Sequence, residues 1–332
     1  MSIEKVPLAA WLAALRGEPR DGPWSVPGTS DVLAIDLDAY EGDEPLPALH
    51  TGWPIVVVGV TARDEPERHP AAAVCDLAVP IGDPVLDAVA ATVAEHPVAS
   101  AAFASLLRGS PQRSIDDGLL AESAVYSTLQ AGPEFAAWLA GRTRHARQST
   151  GPPVDVRREG DELHLTLRRP EVRNALDREM RDALLDALVL ARADPSISRI
   201  HLRGEGPSFC AGGDLDEFGS FGDPATAHLV RLQQNVGRSL AAVAERVTAH
   251  LHGACVGSGI ELPAFATDVV ADPTTVMSLP EVSLGLVPGA GGTVSLPRRI
   301  GRHRTARLGL TGERIDAPTA LAWGLVDRVE PA

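Results

Sequence analysis

The chain has 332 residues, 44% of them hydrophobic, and a formal net charge of −14. Such a chain can bury one large core, or one of about 200 residues with a smaller partner. Its acidity argues against nonspecific nucleic-acid binding, while arginine clusters such as Arg168, Arg169 and Arg173 can still hold phosphates locally. The three cysteines, Cys75, Cys210 and Cys255, form no C-x-x-C pair, so neither a disulfide framework nor a zinc site is indicated.

The first 19 residues are too mixed in charge for a secretion signal and read as a short amphipathic helix. No apolar run reaches about 18 residues, so no membrane span is expected, and the expected compartment is the cytoplasm. Residues 1–82 form a small α/β region of unknown role, with strands at VLAIDL (32–37) and PIVVVGVT (54–61). Residues 83–142 read as helical. Asp83 caps, Pro84 takes the first position, and Leu86, Val89 and Val93 line one face. Ser114 and Asp117 form a capping box with Asp in place of Glu, and Gly132-Pro133 ends the helix that follows. Residues 143–160, rich in Arg, Gly and Pro, read as a linker.

Residues 161–332 alternate strands and helices, an α/β signature. Leu163, Leu165 and Leu167 mark a strand, Asp177 opens a helix, Ile200 and Leu202 mark a second strand, and a long helix is expected over about 225–246. Strand VTAHLHG (247–253) leads into GACVGSG and a helix starting near Ser258.

Four features carry chemistry. The loop Phe209-Cys-Ala-Gly-Gly-Asp214 and the turn Gly257-Ser-Gly-Ile-Glu261 can each offer a backbone N–H, and two such donors can hold an oxyanion. Taken singly, either is also explained as a tight turn. Glu261 and Glu281, 20 residues apart, can converge as an acid/base pair in different protonation states. Either alone is also explained as a solvated charge, and a first-turn Glu by the helix dipole. The last feature, Gly285–Thr293, lacks the lysine of a phosphate-binding P-loop, and Ser258 lacks the spacing of a nucleophile elbow.

In order, RRPEVRNALD (168–177), SFCAGGDLDEF (208–218), HGACVGSGIELPAFATD (252–268), SLPEVSLGLVPGAGGT (278–293) and LTGERIDAPTALAWGLVDRV (310–329) resemble the enoyl-CoA hydratase/isomerase, or crotonase, family. The resemblance implies an α/β fold, a crotonase-like spiral of repeated ββα units with a helical cap, and a catalytic core over 161–332. It implies that Gly213 and Ser258 N–H groups hold the thioester carbonyl. Arg173, Ala175 and Ala211 would contact coenzyme A, which is part of the substrate, so no separate cofactor and no metal are expected. Glutamate at both acid/base positions implies a hydratase that adds water to a 2-enoyl-CoA, with Glu261 activating water and Glu281 delivering the proton. The alternatives are an isomerase or C–C lyase using the same oxyanion hole, or a noncatalytic CoA-ester-binding protein. The resemblance also implies homotrimers or hexamers. Family members continue past the GLVDRV segment with terminal helices. Residues 83–141 have that texture, and CDLAVP (75–80) resembles the strand preceding it, so a relocated helical cap is expected, the alternative being an unrelated helical N-terminal domain.

Overall fold

The computed structural model describes residues 3–17, 32–42, 45–143 and 151–331. Four parallel strands come first, side by side in chain order: β1 (Ile3–Val6), β2 (Val32–Asp36), β3 (Val56–Thr61) and β4 (Leu77–Pro80). The runs Val32–Ile35 and Val56–Val58 are apolar without interruption because a parallel sheet is covered on both faces. Neighbouring side chains point to opposite faces. Thus Val32, Val56, Val58, Leu77 and Val79 join the large core, while Leu33, Ile35 and Val57 pack with Trp11 and Leu12 of α1 (Leu8–Arg16).

Four helices follow: α2 (Val85–Glu95), α3 (Pro97–Arg108), α4 (Ile115–Gln130) and α5 (Pro133–Ala140). Their starts follow the expected chemistry. Asp83 Oδ1 accepts from Val85 N at 2.9 Å, and Ser114 Oγ accepts from Asp117 N at 3.1 Å while donating to Asp117 Oδ2 at 2.7 Å.

The remaining chain is a second α/β unit. It contains β5 (Val154–Glu159), β6 (Glu162–Leu167), α6 (Arg178–Ala193), β7 (Arg199–Gly204), α7 (Pro224–Gln233), α8 (Val236–Ala241), β8 (Val247–Leu251), β9 (Ala254–Val256) and α9 (Ser258–Glu261). It ends with β10 (Asp268–Ala271), β11 (Val276–Ser278), α10 (Gly292–Thr311, kinked at Gly301), β12 (Ile315–Asp316), α11 (Ala317–Trp323) and β13 (Arg328–Val329). One sheet runs β13-β10-β8-β7-β6-β5, parallel except for β5, and a small sheet runs β12-β11-β9. This is the expected α/β spiral with a helical layer. Helices α2, α3 and α4 lie against α10, and α4 also packs on α7 and α8.

Two expectations change. The segment read as a linker contains β5, which the turn at Gly160 (φ +61°) folds back onto β6. Every residue of β5 after Val154 is exposed, so no apolar alternation marks it among its arginines and acids. The single helix over about 225–246 is two helices. Asn235 turns its side chain onto Arg238 N at 2.8 Å, capping a new helix instead of continuing the old one. No helix among the described residues is long and apolar enough to cross a membrane.

Candidate active site

The expected residues meet at one cavity of about 210 Å³ between the large sheet and α4. Gly213, Ser258, Glu261 and Glu281 all line it, together with Tyr126 and Gln130 of α4.

The two candidate donors arrive on glycine turns. Ala211 N donates to Arg173 O at 2.9 Å, Leu176 N to Gly212 O at 2.8 Å, and Asp214 N to Leu176 O at 2.8 Å, tying the Cys210–Asp214 loop to the 168–177 segment. Val256 N donates to Cys210 O at 3.0 Å, tying it to β9. Between these anchors, neither Gly213 N nor Ser258 N meets an acceptor among the described residues, and both residues line the cavity. Ser258 Oγ turns to Cys210 Sγ, 3.7 Å away, so the hydroxyl leaves its N–H unobstructed. Gly257 holds φ +52°, and a Cβ there would stand 2.1 Å from Glu281 Oε1. Only glycine allows both the turn and the carboxyl beside it.

The carboxyls differ in surroundings. Glu261 Oε2 accepts from Ala290 N and Gly292 N, each at 2.8 Å. Burial pushes its pKa up to about 7, against these two hydrogen bonds. Glu281 Oε2 is buried with no hydrogen-bond partner among the described residues. Burial first, and then the charge of Glu261, hold Glu281 well above the usual carboxylate range. The two backbone amides favour the ionised form of Glu261, and the Oε2 of Glu281 has no such donor among the described residues.

A third carboxyl was not anticipated. Glu122 of α4 accepts from Gly291 N at 2.7 Å, Thr293 N at 2.8 Å and Thr293 Oγ1 at 2.7 Å. Successive amides of the loop 290–293 therefore alternate between Glu261 and Glu122. Burial, then the charge of Glu261, push Glu122 up to about 8. Glu122 and Glu261 are each 2% exposed and Glu281 9%, so none is a solvated surface charge. The signal was present in the sequence. Leu119, Glu122 and Tyr126 share one face of α4 at helical spacing, placing an acid on an apolar stripe.

The expected coenzyme A contacts lie beside the cavity rather than among its lining residues. Arg173 is exposed with φ +55°, and Ala175 and Ala211 are half-buried neighbours of it. On this side the cavity is lined by Leu176, Asp177, Arg178 and Arg181. Arg169, which bonds Asp177 and Asp214 at 3.0 Å each, holds that wall in place.

A family model described as "Enoyl-CoA hydratase/isomerase" matches residues 160–332. The chain is 37% identical over 177 residues to a 2,3-dehydroadipyl-CoA hydratase of Escherichia coli, covering 53% of this chain and 69% of that one. It is 36% identical to an enoyl-CoA isomerase/hydratase of Mycosarcoma maydis, covering 51% of this chain and 65% of the relative. Among solved structures, an enoyl-CoA hydratase from Thermoplasma volcanium superposes with a TM-score of 0.51 at 36% identity, covering 55% of this chain and 73% of that one. The chain thus spans about two thirds of the length of the curated relatives it matches.

Proposed function

The chain belongs to the enoyl-CoA hydratase/isomerase family, and from that premise we propose that it adds water across the double bond of a 2-enoyl-CoA thioester. The observation that carries this reading is the contrast between the two glutamates: one accepts from two backbone amides that favour its ionised form, and the other has a buried Oε2 with no partner among the described residues and is raised by burial and by its neighbour's charge.

The thioester carbonyl accepts from Gly213 N and Ser258 N, which stabilise the enolate formed as negative charge reaches that oxygen. Glu261, as the carboxylate, takes a proton from water while the water oxygen bonds to Cβ. The π electrons move to the thioester oxygen, and Glu281 then gives its proton to Cα as the carbonyl re-forms. Glu261 ends protonated and Glu281 ionised, and proton exchange through the water site restores both. Each carboxyl supplies about 10²- to 10⁴-fold. Glu122 touches no reacting atom in this scheme. It fixes the loop whose amides hold Glu261, and so acts as a positioning residue. Helices α2–α5 serve as the cap of the site.

The test is spectrophotometric loss of the enoyl-CoA absorbance with esters of several chain lengths. Wild type should form the 3-hydroxyacyl-CoA. Glu281→Gln and Glu261→Gln should each lower kcat by at least about 10²-fold. Double-bond migration needs one base and no water. Glu261→Gln that retains double-bond migration while wild type forms no hydroxyacyl product would establish an isomerase instead.

A further inference from the structure

Beside α4 the cavity is lined by a positive charge that has no ion-pair partner among the described residues. Arg231, on α7, lines the cavity with its guanidinium carbon 4.6 Å from the Tyr126 ring centroid. Its Nε donates to Ser123 Oγ at 3.3 Å, Nη1 to Gln130 Oε1 at 3.3 Å, and Nη2 to Ser127 Oγ. Ser123, Tyr126, Ser127 and Gln130 stand at i, i+3, i+4 and i+7, one face of α4. The groups that touch Arg231 there are hydroxyls, an amide and a ring, and the nearby Glu122 makes no ion pair with it. That face positions the cation without neutralising it.

Arg231 is half-buried, and the two arginines that are fully buried among the described residues are ion-paired. Arg108 is paired with Asp76, and Arg169 with Asp177 and Asp214. Among the described residues, no carboxylate lies within ion-pair distance of Arg231. Burial accordingly pulls its pKa below the usual value. Glu122, the carboxyl that partly offsets this, is committed to the amides of Gly291 and Thr293. A guanidinium has five N–H groups, and three are used here. A desolvated cation with spare donors is costly unless an anion completes it.

Resting on the acyl-CoA reading above, we infer that the preferred substrate carries a carboxylate at the far end of its acyl chain, bound by Arg231. The cavity, at about 210 Å³, is smaller than ordinary ligand pockets and suits a short chain. A phosphate of coenzyme A is the other source of negative charge in the same ligand, and the test separates the two.

Titration calorimetry with unreactive saturated CoA esters compares carboxyl-ended and methyl-ended chains of equal length, from four to eight carbons. Wild type should bind the carboxyl-ended member of at least one pair about 10-fold or more tighter. Arg231→Gln should abolish that ratio, and Arg231→Lys should keep part of it. Far-ultraviolet circular dichroism and the urea midpoint identify any variant that fails to fold. Equal affinities in wild type overturn the inference. So does an equal loss for both esters in a folded Arg231→Gln protein, which would assign Arg231 to coenzyme A or to packing. Because the readout is binding, it is independent of turnover. Preference for the carboxyl-ended ester without hydration sinks the hydratase proposal alone, whereas hydration without preference sinks this inference alone.

Discussion

In the N-terminal sheet, Asp76 stands just before β4. Its Oδ2 accepts from Val57 N on β3 at 2.8 Å, and its own N–H donates to Val57 O at 2.8 Å. In the large sheet, Asp327 stands just before β13 and does the same to Val269 on β10, at 2.7 and 2.8 Å. An arginine completes each arrangement: Arg108 bonds Asp76 and the carbonyls of His50, Trp53 and Ile55, and Arg299 bonds Asp327 and the carbonyls of Ala264, Ala266 and Thr267. The two sheets share parallel order and this edge device, yet only one carries the candidate site. The difference lies at the strand ends. After β3, Asp38 accepts from Thr61 Oγ1 at 2.6 Å and Ala62 N at 2.7 Å, so the polar groups there are already satisfied. Beside the large sheet, glycine turns in the loop after β7 and after β9 of the small sheet leave Gly213 N and Ser258 N without an acceptor among the described residues. The parallel sheet supplies the frame, and the loops beside it supply the open amides on which the proposed chemistry rests.

The largest expected effect falls on the edge devices themselves. The Arg108 and Asp76 side chains are 0% and 2% exposed, against 12% and 40% for Arg299 and Asp327. Removing one partner of a buried pair leaves the other charge stranded, at a cost of about 3–5 kcal/mol. A pair open to water loses about 1 kcal/mol or less, plus the packing of the long side chain. Arg108→Met should therefore lower the thermal midpoint markedly more than Arg299→Met. Equal losses would mean that burial does not separate the two devices.

A smaller effect tests what the helical layer gives the core. Glu122→Gln keeps an acceptor near Gly291 and Thr293 but removes the ionisable group. A 10- to 100-fold fall in kcat/KM, about 1.4–2.7 kcal/mol, is expected from looser placement of the loop that holds Glu261. Packing damage alone could produce that loss, so the pH profile is the decisive readout. The charge of Glu122 is one of the causes raising Glu281. Removing it lowers the Glu281 pKa, and the alkaline limb of the profile, where the proton donor is lost, should move to lower pH. An unmoved limb would reduce Glu122 to packing.

Much of this organisation was legible from residues alone, and the exceptions have physical causes. Alternation exposed β6, and helix caps at Asp83, Ser114 and Asp177 marked three helix starts. The order of the glycine turns and the two glutamates located the cavity, because turn chemistry is local. Glu122 was not read as part of the site because its partners, Gly291 and Thr293, lie about 170 residues further along. Arg231 escaped notice because its meaning is a missing partner, and a sequence does not show which charges go unpaired. β5 was hidden by its exposed charges, and the break at Asn235 by the apolar spacing that continues across it.

The smallest effect concerns pH and stability, and its sign separates the cleft from the rest of the molecule. Glu261 and Glu122 are pushed up to about 7 and about 8, and Glu281 also lies well above the ordinary value. A carboxyl raised by folding stabilises the protein fully below its unfolded pKa, near 4.3, and loses that contribution as pH rises through its folded value. Other groups act elsewhere on the scale. Asp161, Asp194, Asp223 and Asp316 are lowered by hydrogen bonds, so their contribution is present at neutral pH and lost only in acid. Histidines 69, 201, 250 and 303 are lowered mainly by burial, so their contribution grows as pH rises to about 6.5 and is constant above it. The buried cysteines begin to matter near pH 9. Between about pH 7 and 8.5 the three cleft glutamates dominate the slope, with Glu217, which burial raises less far, acting in the same direction, and the thermal midpoint of wild type should fall. Glu122→Gln removes one of the three and eases the burden on Glu281, so its midpoint should fall less over the same interval. A wild-type midpoint that rises across that window would mean the cleft carboxyls are already ionised, and Glu281 could not then serve as the proton donor.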